Sequence, residues 1–308
     1  MSRALLFSGQ GSQYVGMGED LYSQFDSFKE IVDNANDILD RDIKKIMFEG
    51  PKEVLTDTKN AQPALLTMDY GIYKILEENG AVNDISFTAG HSLGEYGALV
   101  AAGAFSFEDG LKIVQRRGDL MSKAGEKAPG TMAAVIGMRD VEKLEKICEE
   151  NDVDMANYNS PLQIVISGAV ENVKKAMEDC SSQGAKKVVE LNVSGAFHSR
   201  LMVESGEKLA QTINKAKFEK PEIPVVMNVI AKATTDPDEI KDSLIKQVSS
   251  PVKWAQSIQF MIENDVHEYI ECGPKKVLTG LVRRIDRNTT VYSTDKIRGV
   301  KKVMEVLS

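Results

Sequence analysis

Residues 85–103 read ISFTAGHSLGEYGALVAAG, and the change of period inside this stretch decides the architecture. Its opening residues are β-branched, aromatic or small, as a buried strand requires, whereas those after Ser92 are small and suit a helix. Between the two stands G-x-S-x-G, at Gly90, Ser92 and Gly94. A strand, a sharp turn and a helix form the setting in which this motif carries a nucleophile. The glycines relieve crowding at the turn, and the backbone N–H groups that open the helix can stabilise an oxyanion. The plainer alternative is a tight turn before an ordinary helix; the surrounding pattern favours the catalytic reading.

Working outward, helical and strand periods alternate along most of the chain, which predicts an α/β fold. A strand at 3–8 is followed by helices at 27–39 and 63–78. The middle of the chain breaks the rhythm: strand 132–136, helix 141–151, strands 154–158 and 163–167, helix 171–183 and strand 187–191. That order is βαββαβ, the ferredoxin-like pattern, and at about seventy residues it fits a small inserted subdomain. Strands near 225–229, 267–271 and 290–293 then resume the alternation. The expected division is a larger catalytic subdomain, 1–127 with 194–308, interrupted by the insert at 128–193.

With 308 residues, 42% of them hydrophobic, the chain can bury a large core. A net charge of -8 argues against nucleic-acid binding. The charge is uneven, however: residues 273–302 hold nine basic side chains against two acidic ones, a candidate docking surface for an anionic partner. The three cysteines form no CxxC pair, so neither a disulfide framework nor a metal site is expected. Nothing in the first residues reads as a secretory signal, and no apolar run has the length of a membrane span. A cytoplasmic, monomeric protein without membrane contact is expected.

A serine hydroxyl needs a base, and the chain has three histidines. His91 adjoins Ser92 and should leave the turn in another direction, as a packing support. His267 begins the strand pattern HEYIEC without functional neighbours. His198, in VSGAFHSRLM, lies where a strand ends and a helix begins, the place where open α/β folds put their sites. It is the candidate base. In SFEDGLKIVQRRGDLMSKAG, residues 106–125, a helical wheel sets Arg117 near the middle of the apolar half with Leu111, Ile113, Val114, Leu120 and Met121, and Arg116 at its edge. An inward guanidinium needs a carboxylate or phosphate. A structural ion pair and a carboxylated substrate satisfy that need equally. The loop FSGQGSQYVGMG, residues 7–18, is rich in glycine but fits neither the dinucleotide fingerprint nor the P-loop.

Taken together, FSGQGSQYVGMG, GHSLGEY, QRRGDLM, NYNSPLQIVISG, GAFHSRLM, QVSSPVKW and ECGPKKVLTGL, in this order, resemble the malonyl-CoA:acyl carrier protein transacylases of type II fatty-acid synthesis. The resemblance spans nearly the whole chain. It implies an α/β-hydrolase-like subdomain carrying a ferredoxin-like insert, and transfer of malonyl from malonyl-CoA to acyl carrier protein without a cofactor. It further implies Ser92 as nucleophile, His198 as base, a Gln247 carbonyl supporting the histidine, and Arg117 as partner of the malonyl carboxylate. The oxyanion donors become the N–H groups of Gln10 and Leu93. Phe197 resembles the malonyl-selective form, and Met121 falls with the substrate-binding residues. Asn157 and Lys187 are candidates for the pantetheine or phosphate path, with a strand-edge asparagine and a solvated lysine as equal alternatives. Many members carry proline where this chain has Ser8. A serine thioesterase of the same fold is the rival reading.

Overall fold

Leu5 and Phe7 of the first strand belong to one buried cluster, and Ala4 and Leu6 to another on the opposite side. A strand buried on both faces reads as a continuous apolar run, and such strands assemble into parallel sheets covered by helices. The computed structural model, which describes residues 2–39 and 41–307, has this mixed α/β architecture. The strands are β1 (Ser2–Phe7), β2 (Ile85–Gly90), β3 (Gly130–Ile136), β4 (Asp154–Ser160), β5 (Gln163–Ala169), β6 (Lys187–Glu190), β7 (Val225–Met227), β8 (Lys232–Thr234), β9 (Val266–Cys272) and β10 (Thr290–Ser293).

Six of them form one sheet in the order β10-β9-β1-β2-β7-β8. All neighbours are parallel except β8, which turns back on β7. The sequence pattern does not reveal β8, because three residues are too few to show a period. Phe7 pairs with Gly90 on one side and with Cys272 on the other. The segments that follow β1, β2 and β9 therefore leave the sheet side by side, at the carboxyl ends where open sheets place ligands. Those segments are the glycine-rich loop, the serine turn and the start of the basic region.

The helix Thr58–Glu78 begins five residues before the expected position. Asp57 caps it, accepting from Lys59 N–H at 3.2 Å. Pro63 then sits inside the helix, where its ring removes the N–H that would bond to the carbonyl of Lys59. Arg41 supplies the missing donor, Nη1 to Lys59 O at 3.0 Å.

The second sheet has the order β4-β5-β3-β6, all antiparallel, with the helices Val141–Glu150 and Val170–Ser182 between its strands in sequence. Ala133 and Val135 of β3 pack with Leu144, Ile147 and Val173 of those helices. Met132 and Ala134, pointing the other way, join the cluster of the main body. Backbone bonds tie β4 to the segment before the helix Trp254–Glu263, Tyr158 N–H to Val252 O at 2.9 Å and Val252 N–H to Ala156 O at 2.9 Å.

Trp254 opens the helix Trp254–Glu263 and is fully buried against Ala4, Leu6, Ala89 and Val226 of the six-stranded sheet. Its ring also lies 5.5 Å from that of His91. Trp254→Ala leaves a cavity under the sheet, and is expected to lower the unfolding free energy by about 3–5 kcal/mol in urea denaturation.

Candidate active site

Ser92 adopts φ +53°, the left-handed conformation of a serine on a sharp elbow. Two glycines make the turn possible. A Cβ on Gly90 would lie 1.9 Å from the Gly94 carbonyl carbon, and one on Gly94 would lie 2.1 Å from Phe7 O. Asn228, directly after β7, clamps the elbow: its Oδ1 accepts from Ser92 N–H at 2.7 Å and its Nδ2 donates to Gly90 O at 2.7 Å. Asn228 N–H in turn donates to Glu95 Oε2 at 2.5 Å.

The Ser92 hydroxyl lies 2.7 Å from His198 Nε2. On the other side of the ring, Nδ1 faces two backbone carbonyls, Gln247 O at 2.9 Å and Ser250 O at 3.2 Å. Both can only accept, so Nδ1 carries the proton and Nε2 is free to take one from serine. No carboxylate is needed to fix this tautomer. Burial, then the nearby Arg117 charge, hold the His198 pKa down at about 3.

Arg117 projects from the helix Phe107–Lys127 and is 1% exposed. Its Nη1 donates to Gln62 Oε1 at 2.8 Å, and its Nη2 donates to Gln247 Oε1 and to Ser92 Oγ, both at 3.0 Å. Its Nε has no partner, and among the described residues no carboxylate pairs with it. Among the described residues Arg117 therefore makes no structural ion pair. The nearest acid is Glu95, reached only through the Gln247 amide, which donates to Glu95 Oε1 at 3.1 Å and to Ser92 O at 2.8 Å. Burial raises Glu95 to a pKa of about 8.

A cavity of about 310 Å3 opens above these groups. Ser92, His198, Gln10, Met121, Phe197 and Asn157 all line it. Leu93 follows Ser92 into the helix, with its side chain buried. The N–H groups of Gln10 and Leu93 donate to no protein acceptor among the described residues. The glycine loop is pressed against the elbow, since a Cβ on Gly9 would come within 2.7 Å of His91 O. Lys187 does not reach the cavity: it begins β6, an edge strand, and is exposed to solvent. His91 is half-buried with Nε2 2.7 Å from Asn159 Oδ1, and His267 is exposed at the start of β9.

Part of the basic region reaches the rim. Val277, Leu278 and Leu281 line the cavity, and Arg284 donates from Nη1 to Gln163 Oε1 at 2.7 Å. Reading the sequence alone missed Asn228, Glu95, Gln62 and the Gln247 side chain. A buried asparagine at the carboxyl end of β7 was the one available signal.

Residues 4–301 match the model of the acyl transferase domain family. A malonyl CoA-acyl carrier protein transacylase of Bacillus subtilis (strain 168) is 43% identical over 99% of this chain and 96% of its own length. The similar solved structures include the malonyl CoA-acyl carrier protein transacylase from Coxiella burnetii, with TM-score 0.95 and 37% identity over 99% of this chain and 98% of that one. Another is a malonyl-transacylase in complex with a type II PKS acyl-carrier protein, with TM-score 0.95 and 36% identity over 99% of each chain. With its serine elbow, its histidine held by carbonyls and these full-length likenesses, the chain belongs to the acyl transferase family, among the malonyl-CoA:acyl carrier protein transacylases.

Proposed function

We propose that the protein moves a malonyl group from malonyl-CoA to the phosphopantetheine thiol of acyl carrier protein, through a malonyl ester on Ser92, for fatty-acid synthesis. One observation carries the choice of acyl group: a fully buried guanidinium aimed at the nucleophile, with no carboxylate among the described residues to pair with it. Burying a cation among neutral acceptors is costly, and an incoming carboxylate removes that cost with a bidentate pair.

His198 Nε2 takes the Ser92 proton as Oγ attacks the thioester carbon. The oxyanion that forms is held by the N–H groups of Gln10 and Leu93. On collapse the C–S bond breaks, and His198 returns the proton to the CoA thiol. In the second half-reaction His198 deprotonates the carrier thiol, sulfur attacks the ester, and the proton goes back to Ser92 Oγ. These residues complete the chemistry, so CoA and phosphopantetheine enter as substrates and no cofactor is required. The malonyl carboxylate also neutralises Arg117, one of the charges that depress His198. The base thus strengthens when the acid-bearing substrate is in place.

In this reading the six-stranded body, residues 1–127 and 194–308, is an α/β-hydrolase-like subdomain, and residues 128–193 are a ferredoxin-like insert roofing the cavity. Phe197 leaves little room for an α-methyl group, and Asn157 and Met121 border the acyl chain's path. The basic residues at the rim, around Arg284, suit an acidic carrier. The substrates and the three free buried cysteines suit a cytoplasmic monomer.

Mass spectrometry after mixing with malonyl-CoA should find a malonyl adduct on Ser92 and none in Ser92→Ala. Holo-carrier should discharge that adduct into malonyl-carrier. Malonate release at the same rate with or without carrier would instead identify a thioesterase. Arg117→Ala should lower kcat/KM for malonyl transfer by at least about a hundredfold, the cost of unpairing a buried charge. Acetyl transfer should improve relative to malonyl, and equal losses for both would contradict the assigned carboxylate contact.

The depressed His198 predicts a specific pH dependence. Its ordinary pKa is 6.5 and its folded value about 3, so the free enzyme keeps a neutral imidazole in mildly acid solution. The kcat/KM profile should show no ionisation near 6.5. Unfolded chains take up the proton first, so this histidine makes folding less favourable as pH falls from 6.5 toward 3. His198→Gln should flatten that part of the stability curve in denaturation measured across pH.

A further inference from the structure

The glycine loop contains a buried polar chain that the steps above do not use. Ser8, Ser12 and Asp69 are 0%, 1% and 1% exposed. Ser8 Oγ donates to Asp69 Oδ1 at 2.9 Å, across from the middle of the helix Thr58–Glu78. Ser12 Oγ shares its one proton between Ser8 Oγ at 3.1 Å and Gly9 O at 2.7 Å, the shorter contact. Ser12 N–H also points to Gly9 O, at 3.3 Å. Gly273 seals the chain from outside: a Cβ there would lie 2.5 Å from Ser8 Oγ and 2.6 Å from Asp69 Oδ1.

The acceptor Gly9 O belongs to the same peptide unit as the N–H of Gln10. That unit is planar and trans, so its C=O and N–H point in opposite directions and turn together. A hydroxyl holding the carbonyl therefore sets the direction of the donor. We propose that Asp69, Ser8 and Ser12 are positioning residues for the reaction: they fix the Gly9–Gln10 peptide so that the Gln10 N–H is aimed at the oxyanion before substrate arrives.

This inference rests on the oxyanion role given to Gln10 above. It accounts for the serine at position 8, where many relatives of this kind have proline. A proline ring stiffens the chain by fixing φ, but it lacks both the hydroxyl and the N–H that Ser8 donates to Cys272 O at 3.2 Å. Here hydrogen bonds supply the stiffness. A carboxylate buried in mid-helix is otherwise an expensive residue, and its hydrogen-bonded side-chain partner among the described residues is Ser8.

The experiment compares Ser8→Ala, Asp69→Ala, the double variant and Asp69→Asn in malonyl transfer to holo-carrier. Asparagine keeps the oxygen that accepts from Ser8. Losing an oxyanion donor outright costs about 100- to 1,000-fold in kcat, so a misaimed one should cost about tenfold, with KM for malonyl-CoA changed by less than about twofold. The double variant should be no slower than either alanine variant, and Asp69→Asn should keep most of the wild-type rate. A rise in KM with kcat intact, losses that multiply in the double variant, or an Asp69→Asn as slow as Asp69→Ala would overturn the proposal. Ser8→Ala removes a single oxygen and decides the case if Asp69→Ala does not fold. The malonyl-Ser92 adduct is first measured on wild type. No adduct there defeats the transferase reading, whereas a normal adduct with unimpaired variants defeats only the positioning role.

Discussion

A guanidinium with no counter-ion among the described residues lies at the centre of the site, and the arrangement of its neighbours follows from that. Arg117 must give its protons to neutral acceptors, and the two amides that serve, Gln62 and Gln247, each have a second task. Gln62 Nε2 also reaches Met121 Sδ at 3.3 Å on the cavity wall. Gln247 does more: its side chain bonds Arg117, Ser92 O and Glu95, while its backbone carbonyl orients the His198 ring. One residue therefore couples the cation, the Ser92 backbone and the His198 ring. A cluster of groups bonded so closely turns over as a unit, so single substitutions in it will not add.

Ser92 and His198 both occupy strained backbone. Ser92 has φ +53° and His198 φ +58°, a region that non-glycine residues enter only where their surroundings force them. The forcing contacts can be named. Asn228 grips Ser92 from both sides of the elbow, and His198 N–H is tied to Val248 O at 3.1 Å while its ring is tied to Gln247 O. The strain is thus held by the strand end at β7 and by the segment after the helix Pro237–Gln247. Residues placed this way need little reorganisation when the proton moves.

What the sequence made legible was local. The strand-turn-helix around Ser92, the apolar run of β1 and the βαββαβ order of the second sheet all depend on neighbours within a few residues, and local pattern reports those. The helical wheel also put Arg117 on the inner face. It could not choose between an ion pair and a ligand, since that depends on which acids approach from other elements. Asn228, Gln62 and Glu95 were missed for the same reason: each is an ordinary polar residue in its own segment and acquires its role only where distant segments meet. For Lys187, left open between a substrate path and a solvated side chain, the structure gives the solvated alternative on an edge strand.

The sheet order explains why so scattered a set of residues converges. Because β1 lies between β2 and β9, the glycine loop, the serine elbow and the Gly273 turn must emerge as adjacent segments. Each then supports the next: Gly9 packs on His91, and Gly273 covers the Ser8–Asp69 bond. On the outer side Lys275 Nζ donates to Gly11 O at 3.1 Å, and Tyr14 Oη donates to Asp295 Oδ1 at 2.9 Å. The glycine loop is thereby braced from the core by a serine and a carboxylate and from the rim by the basic region. Its glycines serve close approach, and its rigidity comes from hydroxyls and carbonyls supplied by neighbouring strands. Bracing on both sides is what a donor needs if it is to meet a charge that exists only during the transition state.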